Sequence, residues 1–333
     1  MAGRRTDRHR TRRGLAIALV AALAGATPLG AGAQPAARVY RIGVLNEALA
    51  ANHPTVEGLK AGLRELGLVE GRDVAIEIRF TQGDPDAIRD GAAAFAKAGV
   101  DLIFTSNELP TRSAMAATST IPIVFTLVGD PVAAGIVAKL AAPQGNVTGI
   151  SSLTPELAAK RLELLKTLAP ASRRVWALHQ TDDPVAAAVV ANATSAAAQL
   201  DLQLLARPIG TKEALARALR EIRPGDAVLA PDRGRFDISG AVLDLSLSAR
   251  VPAVFPASFY VGYGGLASYG SDYYAEGFQA ARLVARILGG TRPQALPVEG
   301  ADKLDLAVNL KTAAALGITV PRKILLRADT LRR

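Results

Sequence analysis

Arg41-Ile42-Gly43-Val44-Leu45, followed by a helix-patterned run over 55–66 that Gly67 ends, is the stretch whose reading decides the fold. The first five residues read as a strand, and the run after them carries its apolar residues at helical spacing. The couple then recurs. Residues 74–80 read as a strand and 85–98 as a helix. Asp101-Leu102-Ile103-Phe104 is a largely apolar strand, with a helix opening near Pro110; 121–125 repeats the strand, with a helix over 131–140. Apolar strands separated by single helices predict a parallel sheet covered on both faces.

The pattern starts again downstream. A helix over 155–168 leads to strand 174–178, helix 184–200, strand 202–207, helix 211–222, strand 226–230, helix 238–250 and strand 251–255. Gly262, Gly264 and Gly265 mark a loop before a short strand over 266–269, and 272–288 is a further long helix. Two such sets predict an α/β protein of two doubly wound lobes, although no residue-level repeat links them. Solutes in open α/β sheets sit outside the carboxyl ends of the strands. A cleft between lobes is the usual pocket, closed by hinge rotation.

Residues 1–33 read as a removable export leader. Six arginines precede an apolar run from Leu15 to Ala24, and Ala31-Gly32-Ala33 supplies the small residues of a cleavage site. The run is shorter than a membrane span and is followed by Gly25, Pro28 and Gly30. Thr11-Arg12-Arg13-Gly14-Leu15 also fits a twin-arginine signal, so both export routes stay open. A soluble periplasmic protein beginning near Gln34 is expected. The formal charge of +9 falls to about +4 without the leader, which carries six Arg and one Asp. No basic cluster with interleaved aromatics follows, so nucleic acid is excluded as a partner class. The chain has no cysteine, which removes disulfides, thiolate metal sites and cysteine nucleophiles together.

Several segments together resemble a known family. Ala117-Thr118-Ser119-Thr120-Ile121-Pro122-Ile123-Val124-Phe125 leads to Val128-Gly129-Asp130-Pro131-Val132, then Gly145-Asn146-Val147-Thr148-Gly149. Pro155-Glu156-Leu157, Lys160-Arg161-Leu162-Glu163-Leu164-Leu165, Ser268-Tyr269-Gly270, Asn309-Leu310-Lys311-Thr312-Ala313, Leu316-Gly317 and Leu326-Arg327-Ala328-Asp329 follow in order. From about Arg38 to Asp329 the chain is similar to the ABC transporter substrate-binding family that includes the tryptophan-binding TrpX-like proteins. That resemblance implies a type I periplasmic-binding-protein fold, two lobes joined by three crossovers. These map near 149–153, 267–271 and 293–299, giving an N-terminal lobe of 38–151 plus 268–292 and a C-terminal lobe of 152–267 plus 293–333. Gln144 and the segment Asn107-Glu108-Leu109-Pro110-Thr111 depart from the family's usual pattern. The second departure faces the expected pocket and bears on which solute is taken.

Capture of a zwitterionic or anionic solute calls for helix N-terminal amides, hydroxyls and fixed carboxylates. Ser106, Asn107 and Thr111 lie at one strand-to-helix junction, and Thr126, Gly129 and Asp130 at the next. Each set is either a ligand contact or simple helix capping, and Asp130 before Pro131 has the form of a cap. Asn46 and Glu47 end the first strand and either reach a ligand ammonium or form a solvated pair. In the second lobe Thr181 and Asp182 follow a strand, with Asp183 as the cap. Asp232 and Arg233 follow another, as partners for ammonium and carboxylate or as surface charges. Tyr260, with Phe259, Tyr263 and Tyr269, either stacks on a flat ligand or packs the hinge. Trp176 reads as core, and Asn146-Val147-Thr148 as the turn into the hinge.

His53 and His179 have no motif partner, and no metal-ligand spacing, phosphate loop or nucleophile elbow is present. No enzyme, metal or cofactor is therefore expected. A repressor of the same architecture would need a DNA-reading domain before the first strand, where only a few residues lie between Ala33 and Ile42. The reading is a monomeric periplasmic solute-binding subunit of an ABC importer. It captures a small amino-acid-like or aromatic solute and hands it to a permease with its ATPase, touching the membrane only through them. A sensor presenting its closed form to a receptor or histidine kinase is the alternative.

Overall fold

From Ile42 to Asn46 the first strand is buried without a break, because helices cover each face of the sheet it enters. The computed structural model describes residues 38–47, 52–231 and 236–333. In chain order, β1 (Tyr40–Asn46), α1 (Pro54–Glu65), β2 (Val74–Phe80), α2 (Pro85–Ala98), β3 (Leu102–Ser106), α3 (Glu108–Ala117), β4 (Ile123–Val128) and β5 (Val147–Ser151) come first. They are followed by α4 (Thr154–Leu168), β6 (Arg174–Gln180), α5 (Ala186–Gln199), β7 (Gln203–Ile209), α6 (Lys212–Glu221), β8 (Ala227–Leu229), α7 (Ile238–Ala249), β9 (Ala253–Phe255), α8 (Ser258–Gly262) and β10 (Ala267–Ser271). Then come α9 (Tyr273–Leu288), β11 (Glu299–Gly300), β12 (Leu304–Asn309), α10 (Leu310–Ala315), α11 (Arg322–Arg327) and β13 (Thr330–Arg332).

Two sheets result. The first runs β11-β5-β4-β3-β1-β2 with parallel pairing throughout. The second runs β13-β12-β10-β9-β8-β6-β7 and is parallel except at β10–β12. On one face of the first sheet, Val56, Leu59 and Leu63 of α1 and Ala280 and Val284 of α9 pack on Ile42, Val44 and Phe104. On the other, Ile88 and Phe95 of α2 and Ala114 of α3 pack on Leu45, Ile103 and Phe125. The second sheet is covered likewise, by α4 and α5 on one face and α6 and α7 on the other. Both lobes are therefore doubly wound, as the alternation of runs predicts.

The helix pair α1/α9 approaches to backbone contact. A Cβ on Gly58 would lie 2.0 Å from the Tyr274 carbonyl oxygen, and one on Gly277 would lie 1.9 Å from that of Thr55. These two positions carry glycine because no side chain fits between the helices.

Three differences from the sequence reading have physical causes. The helix expected over 131–140 is a single turn: the Asp130 carbonyl accepts from the Ala134 amide and that of Pro131 from Ile136, and Gly135 at φ 65° ends it. The second crossover follows Ser271 rather than preceding it. β10 pairs with β9 and β12, so residues 268–271 lie in the second sheet and not, as expected, with the first lobe. The third crossover falls after Gly300, because Glu299 and Gly300 pair with Ile150 and Ser151 of β5 in the first sheet. Trp176 is buried in the core of the second lobe. The Asn146 side chain donates to the carbonyls of Thr118 and Ile121, forming the turn into β5. Among the described residues no helix is long and apolar enough to cross a membrane.

Candidate functional site

Parallel register places three polar residues in a line. Asn46 of β1 is opposite Ser106 of β3, and Ser106 is opposite Thr126 of β4, at the carboxyl edge of the first sheet. Asn46 Nδ2 donates to Ser106 Oγ at 3.3 Å, and Thr126 Oγ1 donates to the Thr105 carbonyl at 3.3 Å. The row is enclosed: Asn46 is 1% exposed, and Ser106 and Thr126 0%. Glu47 follows the row at the end of β1 and is half-buried.

Asn107 sits at the junction of β3 and α3. Its side chain makes no capping bond, and its backbone is held at φ 77°, ψ 171°. Thr111 fixes that geometry. Its hydroxyl donates to the Asn107 carbonyl at 2.6 Å and lies 2.8 Å from Thr105 Oγ1. Thr111 therefore supports the turn from beneath, with its hydroxyl committed inside the protein. Leu127 and Leu153 also have positive φ, at 56° and 55°.

Beyond β4 the two lobes meet. The Gly129 amide donates to Glu108 Oε1 at 2.9 Å, and its carbonyl accepts from the Thr154 amide and Ser151 Oγ. A Cβ there would lie 2.9 Å from Thr154 Oγ1 and 3.6 Å from Cγ1 of Val185, which opens α5 in the second lobe. Val185 is buried within the apolar cluster of the first lobe. Gly129 is thus a point of close approach between lobes. Asp130 Oδ1 accepts from the amides of Val132 and Ala133 and so caps the turn that follows.

In the second lobe Thr181 and Asp182 are exposed at the end of β6, where Asp182 Oδ1 accepts from Gln180 Nε2 at 2.6 Å. Asp183 accepts from the Val185 amide, the expected cap. Asp232 and Arg233 lie outside the described residues. Tyr260 is half-buried and stacks on Phe255 at 5.0 Å, within the aromatic packing of the second lobe. The aromatics continue through Phe259, 4.1 Å from Tyr260 and 6.4 Å from Tyr273, to His53 stacked on Tyr273 at 5.9 Å. This chain runs from the end of β9 past the second crossover to the start of α1.

The crossovers are bound to one another. Glu276 of α9, 1% exposed, accepts from the Leu127 amide at 2.8 Å and from Ser152 Oγ at 2.7 Å. Asp272 caps α9 through the Ala275 amide and pairs with Lys303 at 2.7 Å. Burial pushes the Asp272 carboxyl upward, but Lys303 and the amides of Ala275 and Tyr274 outweigh it and hold it below the usual range. Lys303 is raised in return. Asp305 stands above the usual range, first through burial and then through the neighbouring carboxylates of Asp329 and Asp272, against a Ser258 hydrogen bond and the Lys303 charge. Among the described residues no group of three His, Asp or Glu side chains is placed to hold a metal.

Glu276, Ser152, Val185 and Tyr273 went unread in the sequence. Glu276 resembles an ordinary solvated helix position there, and only its bonds to residues more than a hundred positions away mark it.

The fold is a two-lobed α/β architecture with a polar row at the carboxyl edge of its first sheet. Residues 47–332 match the family model for ABC transporter substrate binding proteins, and the chain belongs to that family. It is 27% identical over 270 residues to a tyrosine-binding protein of Clostridioides difficile, covering 79% of this chain and 78% of that one. Similar solved structures include two bacterial proteins. A conserved domain protein of Vibrio cholerae has a TM-score of 0.79 at 29% identity, over 89% of this chain and 100% of that one. The ABC domain of Streptococcus pneumoniae in complex with L-Trp has a TM-score of 0.78 at 25% identity, over 88% and 100%. The chain is a solute-binding component of an ABC transporter and not an enzyme.

Proposed function

We propose that this protein takes an aromatic amino acid between its lobes and delivers it to the permease of an ABC importer. The observation that carries the reading is the enclosed row Asn46–Ser106–Thr126 with Asn107 beside it, at the carboxyl edge where α/β sheets bind ligands. The aromatic run Tyr260–Phe259–Tyr273–His53 at the second crossover supports a flat solute. The names of two relatives, one tyrosine-binding and one solved with L-Trp, point the same way. Because the row is sealed, the lobes part to admit solute and close over it.

The working protein is monomeric and periplasmic, released near Ala33 from the leader, which lies outside the described residues. It meets the membrane through the permease, whose partner ATPase supplies the energy. The test is a thermal-shift and calorimetric screen of L-tyrosine, L-tryptophan, L-phenylalanine, aliphatic amino acids and small anions. An aromatic amino acid should raise Tm by mass action and reduce the scattering radius. Binding restricted to aliphatic amino acids or anions would overturn the choice of solute. N-terminal sequencing of protein from the periplasmic fraction should begin near Gln34; an intact leader there would overturn the export reading.

A further inference from the structure

We propose that Asn107 is a specificity-determining residue of this site, its side-chain amide donating to an oxygen acceptor on the bound solute; this rests on the solute-binding reading above. Asn107 is 3% exposed, and its Nδ2 is buried with no hydrogen-bond partner among the described residues. A buried donor left unmade carries a desolvation penalty, so native structures almost always satisfy it. Its backbone occupies a region, φ 77° and ψ 171°, that is open almost only to glycine. Asparagine is ordinarily tolerated at positive φ through local side-chain bonds, and here there is none. Two unfavourable terms thus meet at one residue, with no return to the fold.

What holds the residue is its backbone. The amide donates to the Thr126 carbonyl at 2.9 Å, and the carbonyl accepts from the Thr111 hydroxyl and amide. The side-chain amide is therefore pre-positioned beside the polar row, and its two N–H donors call for an acceptor. The adjacent Glu108 carboxylate is held by the Gly129 amide on the loop after β4. Fixed donors of this kind cost little to order on binding. They discriminate strongly against solutes lacking the matching acceptor.

The experiment compares wild type with Asn107→Gly and Asn107→Asp, measuring Kd for L-tyrosine, L-tryptophan, tyramine and tryptamine by calorimetry and Tm without solute. Glycine suits the backbone angle, so Asn107→Gly should keep or raise Tm, and weaker binding then reports the lost donor rather than misfolding. The expected loss is about 10- to 100-fold, the size of one hydrogen bond to a charged acceptor, and at least as large for Asn107→Asp. Loss shared by both amino acids but not by the amines assigns the α-carboxylate. Loss confined to L-tyrosine and tyramine assigns the phenol oxygen. Wild-type Kd retained by Asn107→Gly for every solute overturns the proposal while solute binding stands. A wild-type protein that binds none of the four overturns the choice of solute above, and this proposal with it.

Discussion

Ser152 donates its hydroxyl to the Glu276 carboxylate at 2.7 Å, a bond running from the first crossover to the helix entered from the second. The other oxygen of Glu276 takes the Leu127 amide at the end of β4, where the backbone is held at φ 56°. One buried carboxylate therefore ties a strained strand end to two of the three connections between lobes. Glu276→Gln sets an N–H against one of these donors. It should cost about 1.5–3 kcal/mol in urea unfolding, and Ser152→Ala about 1 kcal/mol. Because both changes act on one bond, the double variant should be less destabilised than the sum of the singles. Strict additivity would show that the two residues do not act together.

Asp226 should set an acid limit on stability. It takes Arg174 through two 2.8 Å bonds, the Trp176 indole at 2.9 Å and the Arg223 amide at 2.9 Å. Burial pushes its carboxyl upward, but these donors outweigh it and leave it below the usual range. A depressed carboxyl contributes stability that is whole above its unfolded pKa and lost as pH falls through its folded value. Asp226→Asn should cost about 1.5–3 kcal/mol near neutral pH. The gap from wild type should close below the folded pKa, where the wild-type carboxyl is itself neutral. A gap constant across an acid titration of unfolding free energy would refute this.

The sequence carries the lobes plainly and the site in part, for reasons seen at particular residues. Asn46 and Ser106 are legible because each is a polar residue ending an apolar strand, and Thr126 because it follows the apolar run 121–125. Their alignment is not, since register depends on pairing between segments 20 to 60 residues apart. Thr111 and Asn107 look alike as cap candidates, and only the bond from the Thr111 hydroxyl to the Asn107 carbonyl shows that one supports the other. The run Ala267-Ser268-Tyr269-Gly270-Ser271 marks a strand without saying which sheet receives it. The helix expected after Asp130 fails at Gly135, whose left-handed backbone closes the turn after one winding.

Near the second and third crossovers, Asp305 and Asp272 should respond to pH in opposite senses. Asp305 is raised, so the folded state holds its proton longer, and stability falls as pH rises from the ordinary carboxyl range through the raised value. Asp305→Asn should therefore raise Tm near neutral pH and have little effect in acid. Asp272 is depressed and Lys303 raised, so their pair is intact between those two titrations and lost on leaving them at either end. Lys303 is largely exposed, which limits the ionic part to less than about 1 kcal/mol. Asparagine caps as well as aspartate, so Asp272→Asn should cost only that much, and Asp272→Ala about 1 kcal/mol more. Melting curves of the three variants at acid and neutral pH check these signs; a lower neutral Tm for Asp305→Asn would refute the first.

The tight pairing of α1 with α9 gives a prediction whose sign alone is decisive. Propensity favours alanine over glycine within a helix by about 1 kcal/mol, so at an open position Gly277→Ala would stabilise. Here the added methyl would meet the Thr55 carbonyl oxygen at 1.9 Å, a backbone atom that cannot swing aside as a flexible side chain would. Relief requires the helices to part, pulling Ala280 and Val284 away from Ile42 and Val44 in the core beneath. Overpacking of this kind costs about 1–3 kcal/mol, so Gly277→Ala should lower unfolding free energy, and Gly58→Ala should do so for the same reason. The same parting would shift Glu276, one residue before Gly277, away from Ser152 and Leu127. Gly277→Ala and Ser152→Ala should therefore couple in a double-mutant cycle. A stabilised Gly277→Ala variant would show that the two helices are not in backbone contact.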